Sequence, residues 1–324
     1  MKRSACLIFN PVAGQSNPET DLFKIRTLLD QEIDLDIHMT TPEVDANQLA
    51  REAVDRGVEL IIASGGDGTL SAAAEAVVQT QIPLGIISRG TANAFASALG
   101  IPDTIEAACQ TILDGTQKVI DAAICNGKPM VLLAGIGFEA ELVKKADRET
   151  KNRFGMLAYL LAGLQELREF DTFEVKIETD DRVITLAAAA VTIANAAPPT
   201  SILAQGPAGI IYDDGLLDVT VVAPQTRTGV IAASYHLLQT ALQGEATDRD
   251  DIGYLRAKNL KISTVPPQKV VVDGEIVGTT PIDIDCLPGA LTIMVPASQA
   301  LPPPERLQGL PGLVVESKQA DDLS

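Results

Sequence analysis

With 324 residues, 46% hydrophobic and 21% charged, the chain is long enough for two domains, each with a sizeable core. A formal net charge of −18 excludes a general nucleic-acid binder and steady adsorption to an anionic membrane, so any membrane contact needs a local basic face. Cys6, Cys109, Cys125 and Cys286 are scattered without a CxxC pair, which predicts buried free thiols.

The chain opens with basic Met1-Lys2-Arg3 and then a strand-length run without a cleavage pattern. The longest apolar stretch, 183–197, is interrupted by Thr185, Thr192 and Asn195 and is too short to span a bilayer. A cytosolic protein is expected. Residues 5–9 read as a buried strand ending in the turn Asn10-Pro11-Val12-Ala13-Gly14. A helix over 19–31 follows, with Leu22, Ile25, Leu28 and Leu29 on one face. A strand over 33–39 and a helix over 45–56, stopped by Gly57, come next.

The apolar run 60–63 reads as a buried parallel strand. It breaks into Gly65-Gly66-Asp67-Gly68-Thr69 and resumes at Leu70-Ser71 as an alanine-rich helix. Glycines let the backbone pass close to a ligand, and the first helical amides lack internal partners, so the turn suits phosphate. A bare carboxylate at Asp67 makes sense there if it orients a hydroxyl or reaches Mg²⁺, directly or through water. The plainer reading is a tight turn in which Asp67 caps the helix.

A strand over 84–87 leads to Ser88-Arg89-Gly90-Thr91-Ala92-Asn93. Strands alternating with helices at this spacing predict a doubly wound, Rossmann-like parallel sheet. Ligands of such sheets sit outside the carboxyl ends of the strands, where the loops at 10–14, 65–69 and 88–93 all end.

These loops carry a resemblance. Gly65-Gly66-Asp67-Gly68-Thr69 resembles the GGDGT signature of diacylglycerol kinases, sphingosine kinases, bacterial lipid kinases and NAD kinases. Pro83 to Ala96, followed by Leu99-Gly100-Ile101-Pro102, resembles the lipid-kinase segment PLGIxPxGTxNDFAxxLGIP, and Asn10-Pro11 with Gly14 resembles that group's NPxxG opening. The Asn-Glu signature expected of NAD kinases after GGDGT is absent. The chain therefore resembles the diacylglycerol kinase-like lipid kinases over most of its first 120 or so residues. Two departures stand out: Ser71-Ala72 occupies the place of the family's Asn-Glu, and Asn93-Ala94-Phe95 that of Asn-Asp-Phe. Ser88-Arg89 replaces a Pro-apolar pair, and Arg89 is read either as supplying charge lost elsewhere or as a surface loop residue.

A helix over 104–113 and a strand around 118–121 close this half. Beyond Cys125 short strands with Gly and Asp turns predict a sandwich-like β-rich domain. A helical insert over 139–170 interrupts it, with a basic cluster of Lys144, Lys145, Arg148, Lys151 and Arg153 that is either a solvated face or a phosphate- or membrane-facing patch. Strands are expected over 173–177, 183–190, 190–195, 216–222, 260–264 and 270–272, the second and third read as separate or as one, with a helix over 230–243. His38 and His236 stand apart from any metal-like spacing. The domains are thus 1–124, completed or not by part of the C-terminal segment, then 125–300, and a flexible tail over 301–324 with a Pro-rich start and an acidic end.

Two acidic turns remain. Asp213-Asp214-Gly215 opens a strand, which alone is turn chemistry. The family resemblance implies that Asp214, with the carbonyls of Ile211 and Leu216, holds a structural Mg²⁺. Val272-Asp273-Gly274-Glu275 is a hairpin signal on its own. It also resembles the family's DGE motif, which implies Glu275 as general base for the substrate hydroxyl, with Asp273 the second choice. The resemblance further implies ATP in an interdomain cleft, contacted by Thr41, Gly65, Gly66, Asp67, Gly68, Thr69, Leu70, Ser71 and Thr91, and a lipid hydroxyl as acceptor, reached by transient peripheral membrane contact. A homodimer is left open. The competing readings are a soluble-metabolite kinase of NAD type and a nucleotide-binding regulatory protein that has lost turnover.

Overall fold

The computed structural model describes residues 2–137, 172–197, 210–223 and 249–297. The insert over 139–170 with its basic cluster, the helix over 230–243, His236 and the tail over 301–324 lie outside them.

The first half alternates as β1 (Arg3–Phe9), α1 (Pro18–Leu29), β2 (Ile33–Met39), α2 (Ala46–Arg56), β3 (Leu60–Gly65), α3 (Asp67–Val77), β4 (Leu84–Ser88), α4 (Ala94–Ala98) and α5 (Ile105–Asp114). Three helices begin where the sequence supplies an acceptor: Asn17 takes the amides of Glu19 and Thr20, Asp45 that of Gln48, and Thr104 that of Ala107. Gly57, at φ +71°, turns the chain out of α2. The four strands lie parallel in the order β2-β1-β3-β4.

Side chains of β1 alternate across this sheet. Cys6 and Ile8 join the core under α2 and α3, while Leu7 and Phe9 join Ile25 and Leu29 of α1 and Ile112 of α5. A sheet covered on both faces needs apolar residues on both, which is why β1, β3 and β4 carry unbroken apolar runs while the edge strand β2 alternates. Each large aliphatic side chain so buried contributes about 1.5–3 kcal/mol. The chain leaves β1 for β2 on one side and β3 on the other, so the strand order reverses between β1 and β3. The loops after β1 and β3 flank that crevice.

The second half supplies β5 (Thr116–Cys125), β6 (Lys128–Met130), β7 (Leu133–Gly137), β8 (Phe173–Glu178), β9 (Val183–Ala188), β10 (Ala190–Ala194), β11 (Leu217–Val222), β12 (Ile252–Ala257), β13 (Asn259–Val265), β14 (Lys269–Val272), β15 (Glu275–Thr279) and β16 (Ile282–Val295). β16 lies parallel beside β4 and antiparallel to β5 and β13, so the first sheet continues without a break into β13, β8 and β9. An antiparallel sheet, β12-β11-β10-β7-β14-β15, faces that extension. Phe173, Val175 and Ile262 of one sheet and Ile136, Val191 and Val219 of the other share a single core, which makes this half a sandwich.

The apolar run over 183–195 is two strands. It breaks at Ala189, whose amide donates to the Val222 carbonyl at 2.8 Å, and β9 stays in the large sheet while β10 enters the second. All four cysteines are buried and free.

Candidate active site

Three loops meet at the carboxyl ends of β1, β3 and β4. Asn10 ties the first two: its amide donates to the Ser64 carbonyl at 2.9 Å and its Nδ2 to Thr69 Oγ1 at 2.8 Å. The Arg89 amide donates to the Gly65 carbonyl at 2.7 Å, which brings in the third. Two glycines are required by this crowding. A Cβ on Gly65 would lie 2.6 Å from Thr69 Cβ, and one on Gly90 would lie 2.9 Å from Gly66 Cα.

The residue capping α3 is Gly66, with no side-chain cap bond, so Asp67 is not the cap. It occupies the first helical position, where the helix dipole favours a carboxylate. Its Oδ1 accepts from the Phe95 amide at 3.4 Å, linking α3 to α4. The amides of Thr69 and Leu70 both donate to the Gly66 carbonyl, at 2.9 and 3.0 Å, and are taken up by the helix. Leu70 and Ser71 are buried beneath the loop, whereas Gly68 and Thr91 are exposed. Thr41 follows β2; its hydroxyl accepts the amides of Glu43 and Val44 at 3.2 Å each.

Arg89 is not a surface loop residue, and its charge is spent inside the protein. Its side chain is 2% exposed and its Nε donates to Asp21 of α1 at 2.9 Å.

The acids of the second half differ from one another. Asp273, at φ +49°, is half-buried, with its carboxylate ringed by amides. Its Oδ2 accepts the Val131 amide at 2.8 Å and its Oδ1 those of Leu132 and Leu133 at 2.9 Å. Burial nevertheless outweighs these three amides and pushes its carboxyl up to about 6. Glu275 is 72% exposed and pairs with Lys128 at 2.8 Å. On its other side Lys128 lies 3.9 Å from Glu75 of α3, a carboxyl only 15% exposed that burial pushes up to about 7. Glu75 sits eight residues along α3 from Asp67, about 12 Å at helical rise. The acidic hairpin therefore flanks the same helix whose first turn carries GGDGT.

Asp214 already has partners on both oxygens, the Leu216 amide at 3.0 Å and Arg256 at 3.2 Å. Its turn is pinned by Asp121, which accepts the amides of Gly215 at 2.6 Å and Gly289 at 2.8 Å. Among the described residues no group of three or more His, Cys, Asp or Glu converges on a metal-sized space. The sequence reading missed Glu75, Lys128 and Asp121. Glu75 had one local signal, a lone acid inside the alanine-rich run 72–76, while the other two are defined by partners from distant strands.

A strand-order reversal flanked by glycine loops that pack on one another, with acids beside the same helix, defines the class: a GGDGT-type phosphotransferase. The model of the diacylglycerol kinase catalytic domain matches residues 4–125, and that of the YegS C-terminal NAD kinase beta sandwich-like domain matches residues 133–295. A diacylglycerol kinase of Bacillus subtilis is 30% identical, covering 93% of this chain and 98% of its own. An uncharacterized protein of Synechocystis is 51% identical, over 91% of this chain and 70% of its own length. A crystal structure of a diacylglycerol kinase from Bacillus anthracis superposes with a TM-score of 0.75 at 31% identity, covering 91% of this chain and 97% of that one. The chain belongs to the diacylglycerol kinase-like lipid kinase family, kinases with an alcohol acceptor.

Proposed function

We propose that this protein transfers the γ-phosphoryl group of ATP to the hydroxyl of diacylglycerol or a related lipid. The observation that carries the reading is the meeting of the loops at 10–14, 65–69 and 88–93 at one crevice, on the helix that the Asp273–Glu275 hairpin flanks. Thr41, Gly65, Gly66, Asp67, Gly68, Thr69, Leu70, Ser71 and Thr91 are the proposed nucleotide contacts. Leu70 and Ser71 act from below by fixing the turn, because their side chains are buried. Packed glycines present backbone dipoles that need no reorganisation as charge moves onto the leaving phosphate.

Glu275 is the proposed base. It is open to solvent, and its pair with Lys128 sets its position, so it can take the acceptor proton as the oxygen attacks phosphorus. Asp273 is enclosed by amides and serves to fix the turn that delivers Glu275.

A divalent ion is the expected companion of the triphosphate, and Asp67 is placed to meet it or its water shell. For a second ion, Asp214 and the carbonyls of Ile211 and Leu216 are hard oxygen donors of the kind Mg²⁺ takes. They fit it weakly, because Arg256 shares the carboxylate, and such an ion would brace the turn without entering the reaction. No helix among the described residues is long and apolar enough to cross a membrane. The acceptor would be met by transient contact of a cytoplasmic protein with the bilayer surface. We place the domain boundary near residue 124, with β16 completing the first domain from the second.

The test is a screen with γ-labelled ATP and Mg²⁺ against diacylglycerol in mixed micelles, other lipid alcohols and NAD, following the label. Label in an organic-extractable phosphate ester supports the reading. Label on NAD, or ATP binding without transfer to any lipid, overturns it. The second outcome would favour a nucleotide-binding regulator, a reading kept open by Ala72 and Ala94 at positions where the family carries acids.

A further inference from the structure

Arg89 touches all three loops at once. Its amide donates to the Gly65 carbonyl at 2.7 Å, and its Nη1 donates to the Asn10 carbonyl at 2.9 Å. Its own carbonyl faces Gly14 so closely that a Cβ there, at φ +86°, would come within 2.9 Å of the oxygen. The guanidinium lies 4.3 Å over the Phe9 ring at the end of β1. Asp21, 5% exposed, receives Nε at 2.9 Å and is held in turn by the Ser16 hydroxyl. The remaining Nη2 is buried without a protein partner.

Burying a guanidinium and a carboxylate is a poor way to gain stability, since a well-packed apolar pair of the same volume does as well or better. The unmet donor at Nη2 adds to the cost. What an apolar pair cannot do is bond to the Asn10 carbonyl from a side chain that is itself tethered to α1. Lysine cannot do it either, because it lacks the planar fork that reaches Asp21 and Asn10 in two directions.

We infer that Arg89 and Asp21 form a positioning pair that fixes the loops at 10–14, 65–69 and 88–93 relative to one another, so that nucleotide affinity depends on the pair beyond its part in stability. The inference rests on the reading that these loops hold ATP. Arg89 touches no ligand in this account and acts through Asn10, Gly14 and Gly65.

The experiment measures ATP·Mg²⁺ binding by calorimetry and KM for ATP and for diacylglycerol in mixed micelles. The proteins are the wild type, Arg89→Lys, and the apolar double variant Arg89→Met with Asp21→Leu. Wild-type binding comes first: absence of ATP binding there overturns the nucleotide reading itself, and this inference with it. Given wild-type binding, the double variant is expected to melt near the wild type, to bind ATP at least about tenfold more weakly, and to keep its KM for the lipid. Wild-type ATP affinity in the double variant overturns the inference and leaves the pair merely structural. If the double variant does not fold, Arg89→Lys decides. Weaker ATP binding with an unchanged lipid KM supports the pair, and unchanged ATP binding at a lowered melting temperature overturns it.

Discussion

The glycine loops at 65–69 and 88–93 and the acidic turns of the sandwich achieve definition by opposite means. In the first region short motifs carry the geometry: Gly65 is needed because the Thr69 side chain packs onto it, Gly90 because it meets the Gly66 backbone, and Gly66 starts the helix. In the second, neighbours in sequence have different fates according to partners from elsewhere. Asp273 is enclosed by the amides of residues 131–133, while Glu275, two positions on, is exposed and paired with Lys128. Asp214 is held by Arg256 of β12 and Asp213 by Lys118 of β5. A site made of backbone can be read from a motif. One made of charges depends on what the fold sets beside each charge.

Second only to Glu275, the contrast predicts its largest effect at Asp67, the carboxylate in the first turn of α3. Asp67→Ala should lower turnover by at least about a hundredfold, the scale of losing a preorganised polar contact to the transferring group. Its melting temperature should move little, since Gly66 caps α3 without it. Steady-state rates and thermal melts on the same preparation check this. Normal turnover would remove Asp67 from the mechanism.

The same contrast explains what was legible. The parallel half followed from local signals, the apolar runs of β1, β3 and β4 and the stop at Gly57. The break at Ala189 did not, because what separates β9 from β10 is the sheet each joins rather than any turn residue. β16 went unread, since Pro288-Gly289 interrupts its alternation and its neighbours β4, β5 and β13 lie far away in sequence. Arg89 stayed open between a source of charge and a surface residue for the same reason. A polar residue beside a glycine reads as exposed until Asp21, from a helix 68 residues earlier, is placed against it. Of the site, the GGDGT loop and both acidic turns were found as motifs, but Lys128 and Glu75 were not.

Glu75 gives the next effect in size. Its carboxyl is raised to about 7 by burial first, with Asp273 and Glu275 adding to the rise and Lys128 and Arg51 opposing it. The folded state therefore holds the proton more tightly than the unfolded chain. The stability tied to that proton is fully present below the unfolded value and lost as pH rises through about 7. Glu75→Gln should flatten this fall, recovering up to about 3 kcal/mol at pH 8 relative to pH 4.5. Denaturant melts across that range measure it. Parallel pH curves for variant and wild type would show that Glu75 does not titrate there.

The smallest effect is expected at Asp214. Its pair with Arg256 is partly exposed, and Arg256 keeps Asp218 at 2.8 Å, so Asp214→Ala should cost no more than about 1 kcal/mol. Any rise of melting temperature with added Mg²⁺ should shrink with it. An identical Mg²⁺ response in both proteins would leave the turn with a purely covalent and hydrogen-bonded role.

The central claim is that one region holds the nucleotide and the other supplies the base. Glu275→Gln, measured for ATP affinity and turnover together, tests it most directly. The amide keeps the shape and removes the proton acceptor, so ATP affinity should stay while turnover falls about a hundred- to ten-thousandfold, roughly 3–5.5 kcal/mol. Asp273→Asn is the control: a deeper loss there would move the base to Asp273. Near-wild-type turnover in both variants, on an acceptor the wild type phosphorylates, would contradict the division of labour proposed for the two regions.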